Sequence, residues 1–96
     1  MREGSSAVSV SVTADTLTVE LLDGRTVSAP LAWYPRLVHG TRAERAHSRL
    51  IGDGHGIHWP DLDEDIDVEQ LVSGRGSGET QESLKHWVET REASKA

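Results

Sequence analysis

Residues 56–66 read GIHWPDLDEDI, a short apolar run that meets a proline and then becomes strongly acidic. Ile57 and Trp59 alternate with less apolar neighbours, which is typical of a strand with one buried face. The proline that follows has no backbone N–H to donate, so the strand must end at or just after the tryptophan. Two aliphatic residues, Leu62 and Ile66, interrupt the carboxylates. We therefore expect an acidic loop that these two side chains attach to the core.

Three alternating segments upstream of this stretch predict an antiparallel sheet. Apolar residues alternate with polar ones in residues 8–12, 17–21 and 25–29. Asp23 and Gly24 separate the second and third segments, and this pair predicts a hairpin with a type I′ turn, in which both central residues have positive φ. The result is a three-stranded meander whose apolar side must be covered.

The cover is predicted to come from short helices. A first helix follows the meander and should bring Trp33 and Leu37 into the core. Thr41 and Glu44 match a capping box, in which a hydroxyl and a carboxylate satisfy two free backbone donors, so a second helix is expected over about residues 42–48.

The glycine-rich segment 52–56 predicts a turn between residues 50–51 and residues 57–59, which form a short second hairpin. After the acidic loop, Asp67 is expected to cap a third short helix that ends at residue 73.

These patterns predict an α+β fold: a three-stranded antiparallel meander plus a short second hairpin, covered by two or three short helices, with a C-terminal helix after a glycine-rich linker. The expected boundaries are a disordered N-terminus at 1–6, an α+β domain at 7–73, a linker at 74–78, and an amphipathic helix and tail at 79–96. Leu84, Trp87 and Val88 share one narrow stripe of that helix. The stripe either packs on its own domain or is kept for a partner.

Length and composition restrict the class of protein. A chain of 96 residues suits one domain with a modest core. It has no cysteine, which excludes disulfides, thiolate metal sites and a cysteine nucleophile. No apolar run approaches the roughly 18 residues of a membrane span, and the N-terminal residues are too polar for a secretion signal, so we predict a cytoplasmic location. The formal net charge of −6 disfavours general attraction to nucleic acid.

Several short motifs together resemble the bacterial family DUF2442, a domain of unknown function, over roughly residues 8–73. They are, in chain order, Asp23-Gly24-Arg25, Pro30-Leu31, Trp33-Tyr34-Pro35-Arg36-Leu37, Thr41-x-x-Glu44-Arg45, Leu50-Ile51-Gly52, the stretch 56–66 and Leu71. The resemblance implies an α+β domain with a small antiparallel sheet, and it supplies no catalytic residues.

The same resemblance bears on partners. Members of DUF2442 often lie beside a small partner family, DUF4160, in what looks like a toxin–antitoxin arrangement, and some continue into a helix-turn-helix domain. After Ser73 this chain offers one glycine-rich segment and one helix, too little for a helix-turn-helix unit. Direct operator binding is therefore not expected.

Four residues near the acidic loop form the weak alternative for a metal site: His55, His58, Asp61 and Asp63. Imidazole and carboxylate together suit zinc, manganese or iron. However, His58 should point away from the buried face of its strand, and no fixed spacing such as HExxH supports the site. No serine or lysine lies in a recognisable nucleophile motif. We therefore predict no catalytic residue, no cofactor and no enzymatic activity.

A basic strip precedes the acidic loop and consists of Arg36, His39, Arg42, Arg45, His47 and Arg49. Its arginines at 42, 45 and 49 would share one helix face and could meet phosphates. Neutralisation by the acids between Asp61 and Glu69, or plain solvation, is the favoured interpretation.

The sequence thus predicts a small protein-binding module, the antitoxin-like half of a two-protein toxin–antitoxin system. The expected partner is a small protein of the DUF4160 type, with self-association through the C-terminal helix as an addition and with neither nucleic acid nor membrane involved. The residues predicted to bind the partner are Leu84, Trp87, Val88, Arg42, Arg45 and Arg49. Two alternatives stay open: metal- or small-molecule-dependent activity around His55, His58 and the acidic loop, and nucleic-acid binding through the basic strip.

Overall fold

The computed structural model describes residues 6–95. The predicted disordered N-terminus falls mostly on residues 1–5, which lie outside the described residues, as does residue 96. Ser6 is itself buried, and its carbonyl accepts a hydrogen bond of 2.8 Å from the backbone N–H of Leu22. The ordered chain therefore includes the last residue of the segment predicted to be disordered.

Two three-stranded antiparallel sheets form the framework. The first contains β1 (Ala7–Val12), β2 (Thr16–Leu21) and β3 (Thr26–Pro30) in that order, and the second contains β4 (Arg49–Ile51), β5 (Gly56–Trp59) and β6 (Glu64–Asp67) in that order. The helices are α1 (Pro35–His39), α2 (Arg42–Ala46), α3 (Val68–Val72) and α4 (Gln81–Lys95), with 3₁₀ turns at Leu31–Trp33 and Gly52–Gly54. This arrangement confirms the α+β class.

The acidic segment contains a strand that the sequence interpretation missed. Glu64–Asp67 pairs with β5, and Ile66 lies opposite Ile57 in the register. Leu62 and Ile66 are buried, as expected. The carboxylates concealed the alternation because an edge strand tolerates charges on the side that faces water.

A β-bulge in β1 explains why Val8, which the alternation predicts to face the core, is exposed. The register with β2 shifts between Ala7 and Ser9, so Ala7 is buried while Val8 is exposed. An extra residue in one strand of an antiparallel pair reverses the side on which the preceding side chains lie. Val10 and Val12 pack against the core as the alternation predicts.

The turn between β2 and β3 is where the sequence placed it but is of another type. Gly24 has a φ of 95°, whereas Asp23 is not among the described non-glycine residues with positive φ. The N–H of Gly24 donates to the carbonyl of Leu21 at 3.0 Å, and the N–H of Leu21 donates to the carbonyl of Arg25 at 2.8 Å. This is a three-residue loop with a glycine bulge rather than a type I′ turn.

The capping box of α2 is confirmed. The hydroxyl of Thr41 accepts from the N–H of Glu44 at 3.1 Å, and the Glu44 carboxylate accepts from the N–H of Thr41 at 2.9 Å. The helix ends at Ala46, earlier than predicted, because none of its residues is buried to support another turn. The predicted cap of α3 is also present, since Asp67 accepts from the backbone N–H of Glu69.

The core contains Trp59 but not Trp33. Trp59 is fully buried, and its indole N–H donates to the carbonyl of Arg45 at 3.0 Å. Trp33 was expected in the core and is 38% exposed, while the neighbouring Tyr34 is buried in its place. The 3₁₀ turn rotates the chain there, so that spacing measured for an α-helix selects the wrong aromatic residue.

No helix in the described part of the chain combines the length and apolar character that crossing a membrane requires.

Candidate functional site

The chain after α3 returns to the domain through a partly buried ion pair. Both oxygens of Glu79 accept from the guanidinium of Arg36, at 2.7 Å each, and the two side chains are only 8% and 16% exposed. Arg36 also donates to the carbonyl of Asp63 at 2.8 Å. The hydrogen bonds from Arg36 hold the pKa of Glu79 below its usual value. One arginine therefore joins α1, the acidic segment and the start of the C-terminal region.

The predicted partner stripe of α4 faces its own domain. Leu84, Trp87 and Val88 are all partly buried. Two guanidinium groups lie over the ring of Trp87, with the carbon of Arg36 at 5.0 Å and that of Arg91 at 4.8 Å from its centroid. Stacking of this kind stabilises by about 0.5–1 kcal/mol per pair at partly exposed sites. Self-association through this stripe would require α4 to leave its present position.

A second ion pair fastens the far end of α4. Arg91 donates to Glu44 at 2.9 Å and to the carbonyl of Asp61 at 3.3 Å. The hydrogen bond from Arg91 is the largest cause of the lowered pKa of Glu44, followed by the backbone N–H of Thr41. The carboxylate that caps α2 thus also anchors α4.

The glycine-rich segment is hydrogen-bonded to the domain. We call residues 75–78 the strap. The hydroxyl of Tyr34 donates to the carbonyl of Arg75 at 3.2 Å, and the N–H of Ser77 donates to the carbonyl of Trp33 at 2.9 Å. Gly76 lies so close to Trp33 that a Cβ there would be 3.1 Å from the tryptophan Cβ. The strap is therefore fastened to the segment around the 3₁₀ turn that precedes α1.

The basic strip is divided among different elements. Since α2 ends at Ala46, Arg49 lies on β4, and the predicted single face of three arginines was wrong. Arg45 donates to the carbonyls of Leu37 and Val38 at 2.8 and 2.9 Å. It therefore caps the last turn of α1 instead of standing in solvent, whereas Arg42 is exposed.

The residues of the weak metal alternative do not converge. His58 hydrogen-bonds to Asp65, while Asp61 pairs with His47 at 2.6 Å. His55 and Asp63 are exposed. Within residues 6–95, no group of three or more histidine or carboxylate side chains is placed to hold a metal ion. The histidines instead form separate surface pairs.

Glu64 is a functional candidate that sequence reasoning missed. It lines a small cavity of about 110 Å³ together with Tyr34, Asp65, Ile66, Asp67, Gln70 and residues 75–78. Burial raises the pKa of Glu64 to about 7, the charge of Arg36 opposes this, and the charge of Glu79 adds to it. Glu64 lies opposite Trp59 in the register, so it occupies an inward position of β6. The alternation with Ile66 was the signal that could have identified it.

Exposed aliphatic side chains lie on β4 and on its neighbour β1. All three residues of β4 are exposed, and two of them are the large aliphatic side chains Leu50 (37%) and Ile51 (41%). Val8, on the neighbouring strand β1, is 51% exposed. We call Val8, Arg49, Leu50 and Ile51 the β4 surface. Because side chains alternate between the two faces of a strand, Arg49 and Ile51 lie on one face of β4 and Leu50 lies on the other.

Comparison with known proteins places the fold among uncharacterised domains. The family model described as "Protein of unknown function (DUF2442)" matches residues 7–77. A crystal structure of a protein of unknown function from Rhodospirillum rubrum ATCC 11170 is similar, with a TM-score of 0.66 at 22% identity over 82% of this chain and 95% of that chain. This similarity supports the fold alone. No curated protein matches the chain.

Proposed function

The chain belongs to the DUF2442 family of proteins of unknown function, and from that premise we propose that it is a protein-binding module, the antitoxin-like half of a two-protein system in the cytoplasm. The proposed partner is a small protein of the DUF4160 type. The proposal draws on the family resemblance for the kind of partner and on the exposed side chains of this chain for the place of binding.

The β4 surface is the observation that carries the proposal. Exposed apolar side chains are ordinary when they are scattered singly, but several on one short element make that element a candidate interaction site. Leu50 and Ile51 are consecutive, so β4 exposes an aliphatic side chain on each of its faces, and Val8 is on the adjoining strand. Arg49, one of the residues predicted to bind the partner, is exposed on the same strand and offers a guanidinium at the rim. Arginine beside aliphatic residues is common at protein interfaces.

Two of the other predicted partner residues have intramolecular functions that favour β4 as the binding site. Trp87 is packed against two arginines of its own chain, and Arg45 caps α1. Leu84 and Val88 would contribute to a partner only if α4 detached, and exchange of α4 between two copies is the form that self-association would take. Arg42 is exposed on α2 and makes none of these intramolecular contacts.

The hydrogen bonds that Arg45 makes to backbone carbonyls also weigh against the alternative of nucleic-acid binding. A phosphate-binding surface requires free cationic groups on one face, whereas in the described structure Arg42 lies on α2, Arg49 lies on β4 and Arg45 is bonded to backbone carbonyls. These facts, with the net charge of −6, favour a protein partner over a nucleic acid.

Co-expression tests the proposal. The chain is produced together with a tagged DUF4160-type protein from the same genome, and we expect the two to co-purify and the toxicity of the partner to be suppressed. Replacing Leu50 and Ile51 with Asp should weaken the complex at least about tenfold, because burying a carboxylate in an apolar interface is costly. Val38→Asp is the matched control, since Val38 is 45% exposed but lies on α1. An unweakened double variant would contradict the β4 surface as the binding site.

A further inference from the structure

We propose that the outer edge of β6 accepts an extended, basic segment of a protein partner as an added strand. The inference rests on the proposed protein-binding function and specifies the mode of binding and the chemistry of the partner. Strand addition needs an unpaired edge, backbone groups directed outward and room beside them.

The sheet order leaves one side of β6 unpaired. In the order β4-β5-β6, the strand Glu64–Asp67 has β5 on one side only. The backbone N–H of Val68 donates to the carbonyl of His55 at 2.9 Å, which fixes which residues of the strand are bonded to β5. Because bonded and non-bonded positions alternate in an antiparallel pair, the backbone groups of Asp65 and Asp67 are directed away from β5.

Among the described residues, the strap, Tyr34 and Gln70 border the space beside this edge. The cavity of about 110 Å³ lies between residues 64–67 and residues 75–78. Among the hydrogen bonds of the described residues, none joins the strap to β6, whereas the strap is bonded to Tyr34 and Trp33. A volume of this size holds about three waters, so β6 lies beside a gap rather than beside a paired strand.

The strap can yield to an incoming strand. Residues 75–77 are bonded to the rest of the domain at three places: the Arg75 carbonyl accepts from Tyr34, the Arg75 N–H donates to the carbonyl of Gln70 at 3.0 Å, and the Ser77 N–H donates to the carbonyl of Trp33. Glycine occupies positions 74, 76 and 78, which lowers the cost of changing the backbone conformation there. The Arg75–Gln70 bond is local to the end of α3, so an added strand would displace the bonds to Tyr34 and Trp33 and form new ones with Asp65 and Asp67.

The negative charge of the β6 edge favours a basic binding segment. Glu64, Asp65 and Asp67 are three of the four residues of β6. Two copies of this chain paired edge to edge would place carboxylates against each other, which is destabilising in cross-strand positions. Lysine or arginine on the incoming segment would instead face the exposed carboxylates of Asp65, which also bonds to His58, and of Asp67, whose Oδ1 caps α3. The edge therefore discriminates against a second copy and favours a basic partner segment.

A peptide experiment tests the added strand on the full chain. The probe is an eight-residue peptide of alternating lysine and valine, and the control replaces each lysine with glutamate. With the lysine peptide we expect amide hydrogen exchange at Asp65 and Asp67 to slow by at least about tenfold, because those N–H groups gain acceptors. The glutamate peptide should leave both amides unchanged. Lysine-peptide binding without protection at these two positions, or no binding at all, overturns the proposal.

Two substitutions of Asp65 distinguish the contribution of backbone pairing to peptide binding from the contribution of charge. Asp65→Pro removes the outward N–H without breaking a bond to β5, and proline is tolerated at such edge positions. Asp65→Ala removes the same carboxylate but keeps the N–H. We expect the proline variant to bind the lysine peptide at least about tenfold more weakly than the alanine variant. Equal affinities would overturn strand addition; if the proline variant fails to fold, the exchange measurement on the unaltered chain decides.

Failure of the added-strand proposal can be distinguished from failure of the proposed function. A DUF4160 complex that forms while the Asp65 and Asp67 amides exchange as in the free chain refutes the added strand in that complex and leaves the β4 surface intact. Absence of any complex refutes the proposed function, whereas protection by the lysine peptide would still support the edge as a binding site for basic segments.

Discussion

Trp87 lies with its ring centroid 5.0 Å from the guanidinium carbon of Arg36, 51 positions away in sequence (87 − 36), and this contact holds the C-terminal helix on the domain. Arg36 is also bonded to Glu79, so one guanidinium binds the beginning and the middle of the C-terminal region. The stability of that region should therefore depend on the aromatic ring.

Replacing Trp87 with Ala should lower the free energy of unfolding by about 1–3 kcal/mol, through loss of two cation–π contacts and of partial burial. Urea denaturation followed by the fluorescence of the remaining tryptophans measures the change. His86→Ala on the exposed side of α4 is the control and should cost less than about 0.5 kcal/mol. Equal, small effects for both variants would show that α4 is not bound to the domain in solution.

Glu64 should make the chain less stable as the pH rises. Its pKa is raised from 4.5 to about 7 in the folded chain, so between these values the folded state binds more protons than the unfolded state. The stability that protonation supplies is fully present below pH 4.5, falls between pH 4.5 and 7, and is lost once the pH has risen through about 7. Because the carboxyl is only partly buried, we expect a change of about 1–2 kcal/mol.

Glu64→Gln isolates this contribution, because glutamine stays neutral at every pH. The two proteins should be similarly stable at pH 5, and the variant should be more stable at pH 8. The opposite effect is expected from the three carboxyl groups whose pKa values are lowered, Glu44, Glu79 and Asp23. Their protonation makes the folded chain less stable, and only as the pH falls below about 4.5. A constant difference between the two proteins from pH 5 to pH 8 would contradict the raised pKa.

Arg42 and Arg45 should differ sharply although they are neighbours on α2. Arg45→Ala removes two hydrogen bonds to the carbonyls of Leu37 and Val38 and should cost about 1–2 kcal/mol. Arg42→Ala removes an exposed side chain and should cost less than about 0.5 kcal/mol. Thermal unfolding of the two variants measures the difference, and equal destabilisation would refute the capping function of Arg45.

Trp59 is expected to be the most sensitive core position. Trp59→Ala should cost about 3–5 kcal/mol, a large part of the stability of so small a domain. Trp59→Phe keeps most of the buried ring area but leaves the carbonyl of Arg45 without the indole donor, so a smaller loss of about 1–3 kcal/mol is expected. Circular dichroism during urea denaturation compares them. A stable alanine variant would mean that the packing around β5 is not the main source of stability.

Features encoded by neighbouring residues were predictable from the sequence. The caps at Thr41 and Asp67 depend on side chains within three positions of the backbone groups that they satisfy. The strand at 16–21 follows from a regular alternation. Each of these is a local preference that the tertiary structure does not oppose.

Features that depend on distant partners were not predictable. The pairing of Arg36 with Glu79 joins residues 43 positions apart, and nothing in either local sequence indicates the other. β6 was concealed because its charged residues were interpreted as a loop, although the partner strand β5 was recognised. Trp33, which was predicted in the core, is partly exposed and Tyr34 is buried, because a single 3₁₀ turn changes which of two adjacent aromatic side chains faces inward.

The Glu44 carboxylate couples two otherwise separate helices. Its Oε1 accepts at 2.9 Å both from the backbone N–H of Thr41 at the start of α2 and from the guanidinium of Arg91 on α4. Undocking of α4 would remove the Arg91 donor and leave the Glu44 carboxylate bonded to the backbone of Thr41 alone. The same carboxylate therefore contributes both to the start of α2 and to the position of α4, and any coupling between the two helices would be reciprocal.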